Sequence, residues 1–203
     1  YGIDHYVSDL SELIELLGVS GVVLIGHSMG GRISIKYTLA NQDRVKGLVL
    51  ISASGAPRDQ KGSRPLALRM MGSRIGRFLI KRIWSRNMAR KSLEDMVFDK
   101  SSISDKEVDR MWDLSRYPGN MDAMFREFTE SWADFNPAEV RAIATDTLLI
   151  WGEEDTVCPL SMGVWYDSLI PNATLVRLPK VGHNPQFECP GGCLEEISSW
   201  MAR

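Results

Sequence analysis

Nothing in these 203 residues approaches the run of about 18–20 apolar residues that a membrane-crossing helix needs. Cysteine is scarce: Cys158, Cys189 and Cys193 are too few for a disulfide framework. Cys189 and Cys193 stand in CPGGC, but no second ligand pair accompanies them, so free thiols are the reading and no metal site is expected. A formal net charge of −2 gives the whole molecule no pull toward nucleic acid. No internal repeat and no low-complexity tract interrupts the chain. There is no initiator methionine, and no leading strand or signal-like segment stands ahead of the first helical stripe. The chain therefore reads as an N-terminally truncated piece, with any export signal or anchor upstream and its localisation open.

What is present suits one domain with an insertion. Apolar residues recur at Val7, Leu10, Leu13, Ile14 and Leu17, a helical stripe that Gly18 ends. Four short apolar runs then read as strands: Gly21–Ile25, Val45–Ile51, Thr147–Trp151 and Ala173–Leu178. Helical patterns separate them at Gly30–Leu39, Ser161–Leu169 and Leu194–Met201, which implies parallel βαβ units in an α/β fold. The stretch 56–144 carries no convincing strand and is expected to be a helical cap, inserted in a core made of 1–55 and 145–203. Within it, Ser104 and Glu107 fit a capping box ahead of a helix that stops at Tyr117-Pro118-Gly119. Met121–Trp132 is expected to form another, with Met124, Phe125 and Phe128 as its apolar face.

The chemistry concentrates at Gly26-His27-Ser28-Met29-Gly30, directly after the first strand and directly before a helix. That context matches the G-x-S-x-G nucleophile elbow. The serine of such a turn holds a strained backbone, which crowds its neighbours and calls for glycine at Gly26 and Gly30. The following helix aims free N–H groups, Met29's first, at any oxyanion formed on an attacked carbonyl. A phosphate-cradling loop fits poorly, because neither G-x-G-x-x-G nor Gly-Lys-Ser/Thr is present.

A serine hydroxyl needs a base, and the base needs a carboxylate to orient it. Three histidines exist. His5 lies on the first helix, and His27 adjoins Ser28, where neighbouring side chains diverge, so it is expected only to shape the site. His183, in the loop after the fourth strand, is left as the base. The loop after the third strand offers Glu153, Glu154 and Asp155, which cannot all face one histidine. Asp155 is the expected acid, with Glu154 the second choice.

The order Ser28, Asp155, His183, each just past a strand, resembles the α/β-hydrolase superfamily. So do GHSMGGR, VKGLVLISASG, LLIWGEEDTVCP and VGHNPQFECP, which together span nearly the whole chain. The resemblance implies the branch with a helical cap between its sixth and seventh strands, so that the four strands here correspond to the fifth to eighth. The loop supplying a second oxyanion donor would then precede Tyr1. It also implies that Glu188 and Pro190 shape the last helix, and that no cofactor is required. Serine rather than aspartate at the elbow points to acyl transfer and a carboxylic ester hydrolase. The alternatives are a C–C bond hydrolase of the meta-cleavage-product type, whose members often carry asparagine where His27 stands, and a non-catalytic binding module on the same fold.

The cap concentrates Met70, Met71, Met88, Met96, Met111, Met121 and Met124 with Trp84, Trp112 and Trp132, which suits a small hydrophobic ester or acyl substrate as well as ordinary core packing. From Arg58 to Lys91 eleven Lys and Arg face one acidic residue, Asp59, interleaved with Leu66, Leu68, Ile75, Phe78, Leu79 and Ile83. Contact with an anionic membrane surface and a merely solvated face are the two readings of that segment.

Overall fold

A computed structural model describes residues 2–57, 73–129 and 133–203. Part of the expected basic segment (58–72) and the end of the helix expected over Met121–Trp132 lie outside them. The described residues divide into two units, one of 3–57, 96–99 and 133–203, the other of 73–95 and 100–129.

The first unit is a parallel sheet with helices on it. Strands β1 (Val22–His27), β2 (Val45–Ile51), β3 (Thr147–Gly152) and β4 (Ala173–Leu178) pair in chain order, all parallel. Strand β2 shows why. Leu48 and Leu50 enter one apolar cluster with Leu149 and Trp151, while Val49 and Ile51 enter another with Leu148 and Ile150. Successive side chains of a strand point to opposite faces, so both faces of the central strands are covered. Each such buried aliphatic side chain contributes about 1.5–3 kcal/mol relative to exposure.

Helices supply the covers. The first cluster takes Ile35 from α2 (Met29–Ala40) and Met162 and Tyr166 from α8 (Leu160–Asp167). The second takes Cys193 and Trp200 from α10 (Pro190–Met201). Helix α1 (Ile3–Leu16) lays Ile14, with Val7 and Leu10, against Tyr37 and Val45, and Gly18 ends its run at φ +62°. Short helices α7 (Pro137–Arg141) and α9 (Pro185–Glu188) complete this unit. The register His27↔Ile51, Ile51↔Ile150 and Gly152↔Leu178 brings the ends of all four strands to one edge of the sheet.

The second unit is helical over its described residues: α3 (Arg74–Ile83), α4 (Arg86–Glu94), α5 (Asp105–Arg116) and α6 (Asn120–Thr129). Helix α5 opens on the capping box of Ser104 and Glu107. Arg86 joins α4 to α5 through Asp105 (2.6 Å) and Asp109 (2.5 Å), and Lys81 joins α3 to Asp122 of α6 (2.6 Å). An open cavity of about 410 Å³ is lined by Trp84, Trp112, Tyr117 and Met121 among others.

Candidate active site

Ser28 stands between β1 and α2 with φ +51° and ψ −116°, a conformation that side-chain-bearing residues rarely hold. Its own peptide groups are fixed on both sides. The Ser28 N–H donates to the Ile51 carbonyl (3.0 Å), and the Ser28 carbonyl accepts from the Ser54 N–H (3.0 Å). Ser54 is held in turn, since the Tyr166 hydroxyl donates to its carbonyl across 2.8 Å. The strain of the turn is thus carried by β2 and the loop that follows it.

The crowding expected at this corner falls elsewhere than at Gly30. A Cβ on Gly26 would meet the Gly30 carbonyl oxygen at 2.5 Å, so that glycine is required. A Cβ on Gly30 would meet nothing within 4 Å, whereas one on Gly31 would meet the Ala53 Cβ at 2.5 Å. The reason is helical direction: Gly31, not Gly30, faces the strand β2 side of the first turn. The need for glycine at Gly30 is therefore corrected to Gly31.

The loop after β4 brings His183 to the serine, with Nε2 3.1 Å from Ser28 Oγ. The loop after β3 brings Asp155 to the other ring nitrogen, with Oδ2 2.9 Å from Nδ1. A carboxylate at Nδ1 fixes the proton there, leaving Nε2 free to accept from the serine hydroxyl. Asp155 is buried and oriented by its second oxygen, which accepts from the N–H groups of Val157 and Cys158, both at 2.8 Å. Glu154 turns away and accepts from the Val181 N–H (3.0 Å), while Glu153 is exposed. Of the three adjacent carboxylates, only Asp155 reaches the imidazole. Helix α2 begins at Met29, so the N–H groups of its first turn have no partner within the helix and lie beside Ser28.

Two contacts around the histidine go beyond what the sequence implies. Nε2 of His27 donates to the His183 carbonyl across 2.7 Å, and the two rings lie 4.9 Å apart, so His27 braces the base itself. Burial, opposed by that same hydrogen bond, lowers the His27 pKa below its ordinary 6.5, which keeps the ring neutral. Glu188, expected to shape the last helix, turns its carboxylate back on the histidine loop. It accepts from the N–H groups of Gly182 (2.9 Å) and Asn184 (3.1 Å), the residues flanking His183, and from Phe98 (2.7 Å). The His183 N–H itself donates to the Met96 carbonyl at 2.8 Å. The N–H groups of residues 182–184 and the His183 carbonyl are therefore all held. The signal in the sequence was an acidic side chain five residues past the histidine in a loop rich in unpaired N–H groups. Pro190 sits at the first position of α10, where its missing N–H costs nothing.

Cys158, Cys189 and Cys193 are free thiols, and burial beside Cys189 raises the Cys193 pKa to about 11. Among the described residues no group of three or more His, Cys, Asp or Glu could hold a metal ion.

Known proteins resemble this chain over most of its length. A family model for the alpha/beta hydrolase fold matches residues 1–190. The uncharacterized hydrolase YugF of Bacillus subtilis (strain 168) is 32% identical over 191 residues, 93% of this chain and 68% of that protein. The 2-hydroxy-6-oxo-2,4-heptadienoate hydrolase of Pseudomonas putida (strain F1) is 24% identical over 100% of this chain and 71% of its own length. Among solved structures, the 2-hydroxy-6-oxo-6-phenylhexa-2,4-dienoate hydrolase of Rhodococcus sp. strain RHA1 superposes with a TM-score of 0.83 at 18% identity. That match covers 99% of this chain and 71% of that one.

Proposed function

This chain belongs to the alpha/beta hydrolase fold family, and on that premise we propose that it is a serine hydrolase of small hydrophobic carboxylic esters. The observation that supports the reading is the continuous hydrogen-bonded line from Ser28 Oγ through both nitrogens of His183 to the buried Asp155. In the proposed reaction Ser28 Oγ attacks the ester carbonyl while His183 Nε2 takes its proton. The negative charge that develops on the carbonyl oxygen lies at the start of α2, where the Met29 N–H donates to it. His183 then returns the proton to the leaving alkoxide, and the acyl group remains on Ser28. Water, deprotonated by the same nitrogen, releases the acid and restores the serine. Asp155 keeps the imidazole in the tautomer that both halves need and stabilises the imidazolium between them.

A second reading is favoured by the curated relatives named as dienoate and muconate semialdehyde hydrolases: cleavage of a C–C bond by the same three residues. Serine at the elbow serves both reactions, and the residue before it separates them: this chain carries His27 where hydrolases of the meta-cleavage-product type often carry asparagine, which favours the ester. Turnover of p-nitrophenyl esters of increasing acyl length, set beside loss of the dienoate absorbance of a 2-hydroxy-6-oxo-dienoate, separates the two. The ester reading expects kcat/KM at least tenfold higher on an ester, about 1.4 kcal/mol of transition-state preference. A higher value on the dienoate assigns the C–C reaction instead.

A further inference from the structure

The basic segment singled out in the sequence is not absorbed by the hydrolase reading, and its described part has a definite form. Helix α3, RIGRFLIKRI, buries only Gly76 and Ile80. Ile75, Phe78, Leu79 and Ile83 fall at i, i+3, i+4 and i+8, one side of a helix, and are 75%, 57%, 46% and 61% exposed. Four large apolar side chains on ten residues, all turned outward, make a patch that solvent does not favour.

The charges that α3 itself carries are of one sign. Arg74, Arg77, Lys81 and Arg82 are the only ionisable residues of α3. Lys81 is committed to Asp122, while Arg74, Arg77 and Arg82 form no ion pair among the described residues. The Arg82 guanidinium lies 5.0 Å from the centre of the Phe78 ring, within the apolar face itself. That is the arrangement of a cation whose stem and aromatic neighbour sit in an apolar layer while its head meets phosphate. No described helix is long and apolar enough to cross a membrane, so a helix of this kind lies along the surface.

We propose that α3 is a membrane-surface contact: its apolar face enters the interfacial layer of an anionic bilayer, and Arg74, Arg77 and Arg82 pair with lipid headgroup phosphates. The occupant follows from charge complementarity, because an apolar protein partner has no use for three arginines around the patch that form no ion pair among the described residues, and a zwitterionic surface attracts them weakly. Screening by salt must weaken the contact, since exposed charges act over only about 8 Å at physiological ionic strength.

Flotation of the whole chain with phosphatidylcholine vesicles, with and without phosphatidylglycerol, tests the proposal at low and high salt. Two variants accompany it, Phe78→Ser/Ile83→Ser and Arg74→Glu/Arg82→Glu. All four side chains are exposed, so thermal unfolding should match the unaltered chain. The expected result is binding to the anionic vesicles at low salt, at least about tenfold weaker on neutral vesicles, and about tenfold weaker in either variant. No binding to anionic vesicles at low salt overturns the proposal. So does equal binding to both vesicle types, or binding that neither variant alters. Concentration-dependent self-association that the serine variant abolishes, in place of vesicle binding, assigns the patch to a second copy of the chain and overturns it equally.

Discussion

His27 and His183 meet face to tilted face, their ring centres 4.9 Å apart and the His27 Nε2 proton on the His183 carbonyl. The residue before the nucleophile thereby sets the height of the base above it. Replacing His27 by Ala should leave the fold intact and lower kcat about tenfold, the value of roughly one lost hydrogen bond at the reacting geometry. Steady-state kinetics with KM measured separately checks this: the loss should lie in kcat.

The same residue gives a pH dependence whose sign is fixed. Burial lowers the folded pKa of His27 below the ordinary 6.5, so between those two values the unfolded chain binds the extra proton and the folded chain does not. Stability therefore rises with pH through that window, is fully present above about 6.5, and falls as the pH drops below it. Thermal melts from pH 5 to 8, on the order of the range where histidine titrates, should show that slope in the native chain and less of it in His27→Gln.

Asp155 and Glu154 should behave as opposites. Asp155→Asn leaves the shape of the site but lets His183 Nδ1 lose its proton acceptor, and a loss of about 10⁴ in kcat is expected. Glu154→Gln, whose carboxylate only accepts from the Val181 N–H, should keep activity within about threefold and cost no more than about 1 kcal/mol of stability. Activity and thermal unfolding on the two variants decide it.

Glu188 is a positioning residue for the base. Glu188→Gln keeps the size of the side chain but replaces one acceptor oxygen by a donor facing the N–H groups of Gly182, Asn184 and Phe98. A fall of about tenfold in kcat with KM nearly unchanged is expected, together with a loss of about 1–3 kcal/mol in stability. A purely structural role would lower stability alone.

The elbow glycines give a packing contrast. Gly31→Ala drives a methyl into Ala53 and should lower the melting temperature by several degrees, as overpacking costs about 1–3 kcal/mol. Gly30→Ala meets open space on a helix and should be neutral or stabilising by up to about 1 kcal/mol. Thermal unfolding of the two variants side by side measures the difference.

The strands were legible because β2 and β3 are buried on both faces and so read as unbroken apolar runs, and the elbow because strand, glycine and serine adjoin in the sequence. His183 could be reached by elimination among three histidines, and Asp155 by its place after a strand. The bracing by His27 and Glu188 was not legible, since it depends on where a loop's backbone N–H and C=O groups point, and these carry no residue code. The glycine requirement falls on Gly31 rather than Gly30 for a similar reason: adjacent glycines look alike until a neighbour such as Ala53 is placed beside one of them.

The central claim is that His183 and Asp155 make Ser28 a nucleophile. Labelling with a fluorophosphonate probe followed by peptide mass spectrometry tests it most directly, because only an activated hydroxyl displaces fluoride from phosphorus. The account predicts one modified peptide, containing Ser28, in the native chain. It predicts no labelling in Ser28→Ala and severely slowed labelling in His183→Ala. A native chain that stays unmodified, or one labelled equally well after Ser28→Ala, would contradict it.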